Sequence, residues 1–232
     1  GDHRDLHLSL RRQRQMCIRD RNYINTNRRD FADQPFTEKM SADNPIDQYG
    51  VWFEEAIKSE ILDPYAACLS TVNSNNEPSS RILYIRDFNS NGFVFYTNYD
   101  SNKGSDLLEN NYAALNVFWG ELERQIRIQG KISKVDDSTS DKYFNARPRA
   151  SKIGAWASNQ SQIIKDRNEL EDKIKFYEEK FNSQDVPRPD NWGGYCLNPK
   201  KIEFWQGRPS RLHDRIVYIK ENNQWVKSRL SP

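Results

Sequence analysis

Hydrophobic and polar positions first become regular at Asn44. In NPIDQYGVWFEEAIKSEILDP, Ile46, Tyr49, Trp52, Phe53, Ala56 and Ile57 recur at helical spacing and the run closes at Asp63-Pro64, which predicts an amphipathic helix. Short runs rich in β-branched and aromatic residues follow: AACLSTV to about Val72, RILYIR over 81–86, FVFYT over 93–97, ALNVFW over 114–119 and QIRIQGKISKV over 125–135. Asn89-Ser90-Asn91-Gly92, between the second and third, is a hairpin signal. In the longest run Ile126, Ile128 and Ile132 share one side, and Arg127, Gln129, Lys131 and Ser133 share the other. That period of two belongs to a strand with one buried face.

After Asp136 a second helix is expected, capped by Ser138 or Thr139, with Tyr143 and Phe144 facing inward and its end before Pro148. A third, from about Gln162 to Phe181, is strongly charged with a thin apolar stripe and reads as a solvated helix over the barrel. IEFWQ (202–206), IVYIK (216–220) and WVKSRL (225–230) complete the set, the last two joined by Glu221-Asn222-Asn223-Gln224. Eight short strands with helices between them predict a closed antiparallel barrel of α+β character, mainly β. The folded domain is accordingly placed at 44–232. The first 43 residues read as a disordered or processed segment, since GDHRDLHLSLRRQRQMCIRDR mixes arginines with Asp2, Asp5 and Asp20 and has no apolar signal core.

Composition narrows the function classes. The 232 residues carry 35 Lys+Arg against 33 Asp+Glu, a net charge of +2 that points to neither a nucleic-acid partner nor a membrane surface. No run approaches the roughly 18 apolar residues of a membrane-spanning helix. Cys17, Cys68 and Cys196 are odd in number and lack CxxC spacing, which suits a reducing compartment. The cytoplasm is the expected location, with import into mitochondria left open. Cys68 lies in a strand and reads as core. His3 and His7 fall in the opening segment, so a metal site has almost no ligands to draw on and none is expected.

The ten glycines form no GxGxxG, GxxxxGK[ST] or GxSxG, so a bound phosphate must be gripped by side chains. Arg81 and Arg86 on one strand, Asn102-Lys103 after a strand end, and Arg147 through Lys152 after a helix are the candidates. Guanidinium groups offer bidentate contacts to phosphate oxygens, and Ser151 adds a neutral donor. Each also has an ordinary reading, as a solvated strand face or a helix-end charge. Arg211-Leu-His213-Asp214-Arg215 lies in a loop between two apolar strands and holds the remaining histidine. Flanking cations disfavour the charged imidazole, which suits a neutral hydrogen-bonding role near an anionic ligand. Gln125, Gln160 and Ser161 supply uncharged groups able to read a heterocycle's edge, and Trp156, Trp192 and Trp205 are candidates to stack on it or to fill the core.

RILYIR, FVFYTN, LERQIRIQGK, YFNARPRASKIGAWAS, WGGY and IEFWQGRPSRLHDR, followed by a terminal RLSP, resemble the pyridoxine (pyridoxamine) 5'-phosphate oxidase family from about Asn44 to Pro232. The resemblance implies an FMN-binding split barrel, a Greek-key-like antiparallel barrel with flanking helices and a C-terminal dimerisation region. It also implies a homodimer with FMN at the subunit interface. The activity implied is oxidation of pyridoxine or pyridoxamine 5'-phosphate to pyridoxal 5'-phosphate by O2. Carried onto this chain, the FMN contacts are Arg81, Ile82 and the strand through Arg86, with Tyr96, Thr97, Asn102, Lys103, Gln125, Gln160, Ser161, Trp205 and Arg215. The substrate contacts are Arg86, Tyr143, Arg147 and Ser151 for the phosphate, with Arg211 and His213 near the reacting carbon as catalytic residues. Arg86 stands where many members have lysine, and Asn102-Lys103 where many have Arg-Lys, which removes one charge from the FMN phosphate site. The rival reading is a split-barrel module that holds FMN or pyridoxal phosphate without turnover. Such a module could dispense with Arg211 and His213, and both are present here.

Overall fold

The computed structural model describes residues 30–232, so the opening stretch 1–29, with Cys17, His3 and His7, lies outside the described residues. The chain forms a helix α1 (Pro45–Lys58), strands β1 (Ala66–Val72), β2 (Pro78–Tyr84), β3 (Asp87–Asn89) and β4 (Gly92–Asn98), helix α2 (Asn102–Glu109), and strands β5 (Tyr112–Trp119) and β6 (Arg124–Lys134). Helices α3 (Asp137–Asn145), α4 (Arg149–Ala157) and α5 (Arg167–Lys180) precede β7 (Trp192–Gln206), β8 (Asp214–Glu221) and β9 (Gln224–Arg229).

All nine strands join one antiparallel sheet whose hydrogen-bonded path runs β2-β1-β5-β6-β7-β4-β3, with β8 and β9 branching from β7. The path does not close on itself, so the closed barrel expected from the sequence is corrected to an open, curled sheet. Asn89-Ser90-Asn91-Gly92 is the β3–β4 hairpin, where Gly92 takes φ +136. At the β8–β9 turn Asn222 and Asn223 hold φ 48 and 64, the pair of left-handed residues that a two-residue hairpin turn requires. Ile126, Ile128 and Ile132 are buried on the inner face of β6 as their alternation predicts.

The core is aromatic. Tyr49 packs edge-on against Phe88 and Phe93, and Phe204 packs against Trp52 and Tyr218. Helix α1 joins this core through Tyr49, Trp52 and Ala56, all nearly fully buried. Asn44 caps it by accepting from the Ile46 amide at 2.9 Å. Residues 30–43 have no regular structure yet pack on this body ahead of the expected boundary: Phe36 joins the core beside Trp52, with ring centroids 4.8 Å apart.

Several expectations are corrected. The cap of α3 is Asp136, whose carboxylate accepts from the Thr139 amide, and the hydroxyls of Ser138 and Thr139 themselves donate to that carboxylate. The charged helix starts at Arg167 under its own cap Asp166, and its apolar side rests on α4 through Ile174 and Tyr177 rather than on the barrel. Cys68 is only half-buried, since Ala67 and Leu69 take the inner face of β1 and leave Cys68 on the other. Arg86 lies beyond the end of β2, so it does not share a strand with Arg81. Strand β3, helices α2 and α4 and the first ten residues of the fifteen-residue β7 were not expected.

Candidate active site

One cavity of about 1110 Å³ opens between β2, β4, α2, α3 and α4. Four cations line it, Arg81, Arg86, Lys103 and Arg147, and no lining residue is acidic. Such a wall is stable only if each charge is held by neutral groups or meets an anionic ligand.

Lys103 shows the arrangement most clearly. Its side chain is almost wholly buried, and Nζ donates to Thr97 Oγ1 at 3.0 Å, Ser101 Oγ at 2.8 Å and Gln160 Oε1 at 2.9 Å. None of these partners is charged, so burial, aided by Arg81, lowers the pKa to about 8. Lys103 sits in the first turn of α2, whose N-cap Ser101 makes no capping bond to the helix amides. The amide of Asn102 instead donates to Ser161 Oγ at 3.3 Å, which brings Ser161 and Gln160 from the loop after α4 to this helix end. Uncapped amides at a helix start beside an ammonium form an anion-binding corner. Arg81 on β2 faces it, held by Thr71 Oγ1 at 2.7 Å with Asp106 of α2 at 3.9 Å.

The opposite wall is aromatic. Tyr96 of β4 stacks on Tyr143 of α3 at 3.8 Å and 4°, and Trp192 at the start of β7 continues the stack 5.7 Å from Tyr96. Desolvation raises Tyr96 to about 12, so it stays a neutral phenol. The half-buried guanidinium of Arg147 covers Trp192, and its Nη1 is buried without a hydrogen-bond partner. Arg86 is exposed at the rim, over the rings of Tyr84 at 4.8 Å and Tyr65 at 5.2 Å.

The cavity therefore gathers Arg81, Ile82, Arg86, Tyr96, Thr97, Asn102, Lys103, Tyr143, Arg147, Ser151, Gln160 and Ser161, and with them Trp192. Gln125, Trp205, Arg211, His213 and Arg215 do not line it. They form a second group: Gln125, Trp205 and Arg215 lie side by side across β6, β7 and β8. Trp205 and His213 have ring centroids 4.6 Å apart, and Arg215 donates from Nε to the buried Glu203 at 2.9 Å. Burial first, then Arg211 and Arg215, lowers the pKa of His213 and keeps the imidazole neutral. Ser210 and Arg211 adopt φ 57 and 62, left-handed conformations that cost on the order of 1 kcal/mol or more each and persist only where the surroundings impose them.

Arg149, part of the basic stretch after α3, does not reach the cavity; it donates to the carbonyls of Phe181 and Gln184 and ties α4 to the end of α5. Trp156 likewise packs on Tyr177 and Phe181. Trp192 was readable in the WGGY motif, but nothing in its spacing separates a site tryptophan from a core one.

Among the described residues no helix is long and apolar enough to cross a membrane. Residues 53–180 match the family model described as pyridoxamine 5'-phosphate oxidase, and residues 192–232 match that of the pyridoxine 5'-phosphate oxidase C-terminal dimerisation region. A pyridoxine/pyridoxamine 5'-phosphate oxidase of Acaryochloris marina is 49% identical over 88% of this chain and 94% of its own length. One from Cytophaga hutchinsonii is also 49% identical, over 88% of this chain and 96% of its own. Among solved structures, PhzG from Burkholderia lata, determined with tetrahydrophenazine-1-carboxylic acid, superposes with a TM-score of 0.82 at 30% identity, covering 87% of this chain and 99% of that one. An FMN-binding protein of Nostoc punctiforme shares the fold at a TM-score of 0.64 and 18% identity, over 82% of this chain and 100% of its own. With matches of this extent at both levels, the chain belongs to the pyridoxamine 5'-phosphate oxidase family.

Proposed function

We propose that the protein is an FMN-dependent oxidase that converts pyridoxine 5'-phosphate and pyridoxamine 5'-phosphate to pyridoxal 5'-phosphate with O2, releasing H2O2, and NH3 from the amine. The observation that carries this reading is the cavity with four cations and no carboxylate, which has room and charge for two phosphates. Its cations have distinct partners, so the two phosphates have distinct places. Lys103, Arg81 and the open start of α2 fit the cofactor phosphate, and the unpartnered Nη1 of Arg147, with Ser151 and Arg86, fits that of the substrate. Asn102 is neutral, which leaves Lys103 and Arg81 as the principal cations of the first site.

Bound there, FMN would supply a hydride acceptor for the substrate's 4' carbon and a route for the electrons to O2. The protein binds, orients and excludes water. Tyr143 hydrogen-bonds from within the aromatic stack, and Arg147 anchors the phosphate away from the reacting carbon. Gln125, Gln160 and Ser161 offer neutral groups to the flavin's polar edge. Arg211 stabilises charge as the hydride leaves, and neutral His213 orients the ring by hydrogen bonding.

Arg211, His213, Trp205, Gln125 and Arg215 lie outside the cavity that holds the other site residues. We assign them to the cavity of a second copy, so the working unit is a homodimer with two shared sites. Residues 192–232, which carry four of the five, are the stretch that matches the dimerisation model. Cys68 and Cys196 are free thiols, in keeping with a cytoplasmic location. Oxygen uptake tests the reading. The purified, yellow protein should consume O2 on addition of pyridoxamine 5'-phosphate, whereas a flavin-loaded protein that consumes none is the binding module instead.

A further inference from the structure

Asp214 follows His213 in the RLHDR loop and has no place in the reaction described above. Its mostly buried carboxylate nonetheless gathers three parts of the chain. Oδ1 accepts from Arg229 Nη1 on β9 at 2.6 Å, and Oδ2 accepts from the Phe36 amide at 3.0 Å and from Arg208 Nη1 at 3.3 Å. Arg208 is gripped again at Nη2 by Asp33 at 2.7 Å. Its backbone N–H donates to Nδ1 of His213 at 3.1 Å. An Nδ1 that accepts carries no proton, so the neutral ring holds its proton on Nε2.

The surroundings close on the same ring. Phe31 meets His213 edge-on with centroids 5.2 Å apart, and it meets Trp205 at 5.6 Å. A Cβ on Gly207 would stand 2.5 Å from Phe31 Cδ1, so this approach requires glycine there. Between Arg208 and His213 the chain passes through the two left-handed residues Ser210 and Arg211, and only fixed ends hold such a loop.

We infer that Asp214 is a positioning residue for His213: through Arg208 its carboxylate fixes the entry of the loop and holds the imidazole as the Nε2–H tautomer, which presents a donor toward the substrate. A hydrogen-bond donor and a proton acceptor are different tools at the 4' carbon, and this assignment makes His213 the donor. The inference rests on the oxidase reading for its consequence in turnover, but the tautomer is a property of the protein alone.

Ring nitrogen and proton NMR on the full-length, 15N-labelled protein tests it, with His213→Asn identifying the His213 signals against those of His3 and His7. The parent should show one bare nitrogen, Nδ1, and one protonated nitrogen, Nε2, at neutral pH. In Asp214→Asn and in Arg208→Met the two nitrogen shifts should move toward each other as the tautomers mix. Turnover should fall on the order of ten- to hundredfold with flavin content unchanged. Arg208→Met leaves the Phe36 and Arg229 contacts in place, so it decides the matter if Asp214→Asn does not fold. Folded variants with the parent's ring signals would overturn the inference even if their turnover fell. A parent that shows the Nε2–H ring but oxidises neither B6 phosphate would instead overturn the oxidase reading alone.

Discussion

The guanidinium of Arg147 lies 4.5 Å above the indole of Trp192 while its Nη1 is buried with no hydrogen-bond partner. A buried donor left unpaired costs free energy, and here the cost is borne in the absence of ligand. The ring holds the cation by its π face without occupying its N–H groups, so in the proposed reaction these donors are free for the substrate phosphate. Arg147→Ala should therefore cost about 1.5–3 kcal/mol of substrate binding, a roughly ten- to hundredfold rise in KM, with FMN content unchanged. Steady-state kinetics beside the visible flavin absorption checks this; lost flavin with unchanged KM would reassign Arg147 to the cofactor.

Lys103 gives the site a pH dependence with a definite sign. Its pKa in the fold is lowered to about 8 from 10.5, so below pH 8 burying its charge opposes folding, and that penalty relaxes between pH 8 and 10.5. An anion beside Nζ is held most strongly where Nζ is charged. A phosphate is already fully ionised above about pH 7, so apoprotein affinity for FMN should fall as pH rises past 8. Lys103→Met should bind FMN more weakly and with a flat profile over that range, as read by fluorescence titration.

Arg211 and His213 differ in what they can do for a departing hydride. A guanidinium offers charge and a fork of donors, whereas a neutral imidazole offers one donor. Arg211→Met should slow flavin reduction more than His213→Asn, both with normal flavin content. Rapid-mixing measurement under anaerobic conditions separates this step from reoxidation; parent rates in both variants would remove the loop from the hydride step.

Stability rests on the aromatic core rather than on the site. Phe204 is fully buried between Trp52, Phe36 and Tyr218, and Phe204→Ala should cost about 3–5 kcal/mol. Thermal unfolding at fixed protein concentration measures it. A loss below about 1 kcal/mol would mean that the core relaxes around the cavity.

The sequence carried the fold where alternation is undisturbed and lost it where glycine and proline interrupt. β6 was readable because Ile126, Ile128 and Ile132 keep a strict period, yet its partner β7 was seen only over 202–206. Gly193, Gly194 and Pro199 blur the first part of β7, and its pairing with β6 slips at Gln129/Gly130. Helix α2 was missed because NKGSDLLE is short and holds Gly104, a residue unfavourable in a helix interior. Gly104 is needed there, since a Cβ would stand 1.8 Å from the Tyr99 carbonyl oxygen. Arg81, Lys103 and Arg147 were legible as candidate cations from their type and company, and the fold brings them to one cavity. That Arg149 serves as a strut and Asp214 as a hub depends on partners tens of residues away, at Phe181, Gln184, Phe36 and Arg229, which local pattern does not reveal.

Subunit complementation tests most directly the central claim that each oxidase site joins the cavity of one copy to the loop of another. Lys103→Met disables the cavity and Arg211→Met the loop, so each variant alone should turn over little pyridoxamine 5'-phosphate. Unfolded and refolded together in equal amounts with FMN, about half the dimers pair one copy of each, and in these one of the two sites has both its cavity and its loop intact. Oxygen uptake should then recover to about a quarter of the parent's. Mixed dimers that form but stay as inactive as the two variants apart would show that Lys103 and Arg211 serve a site within one chain, and the shared-site account would be wrong.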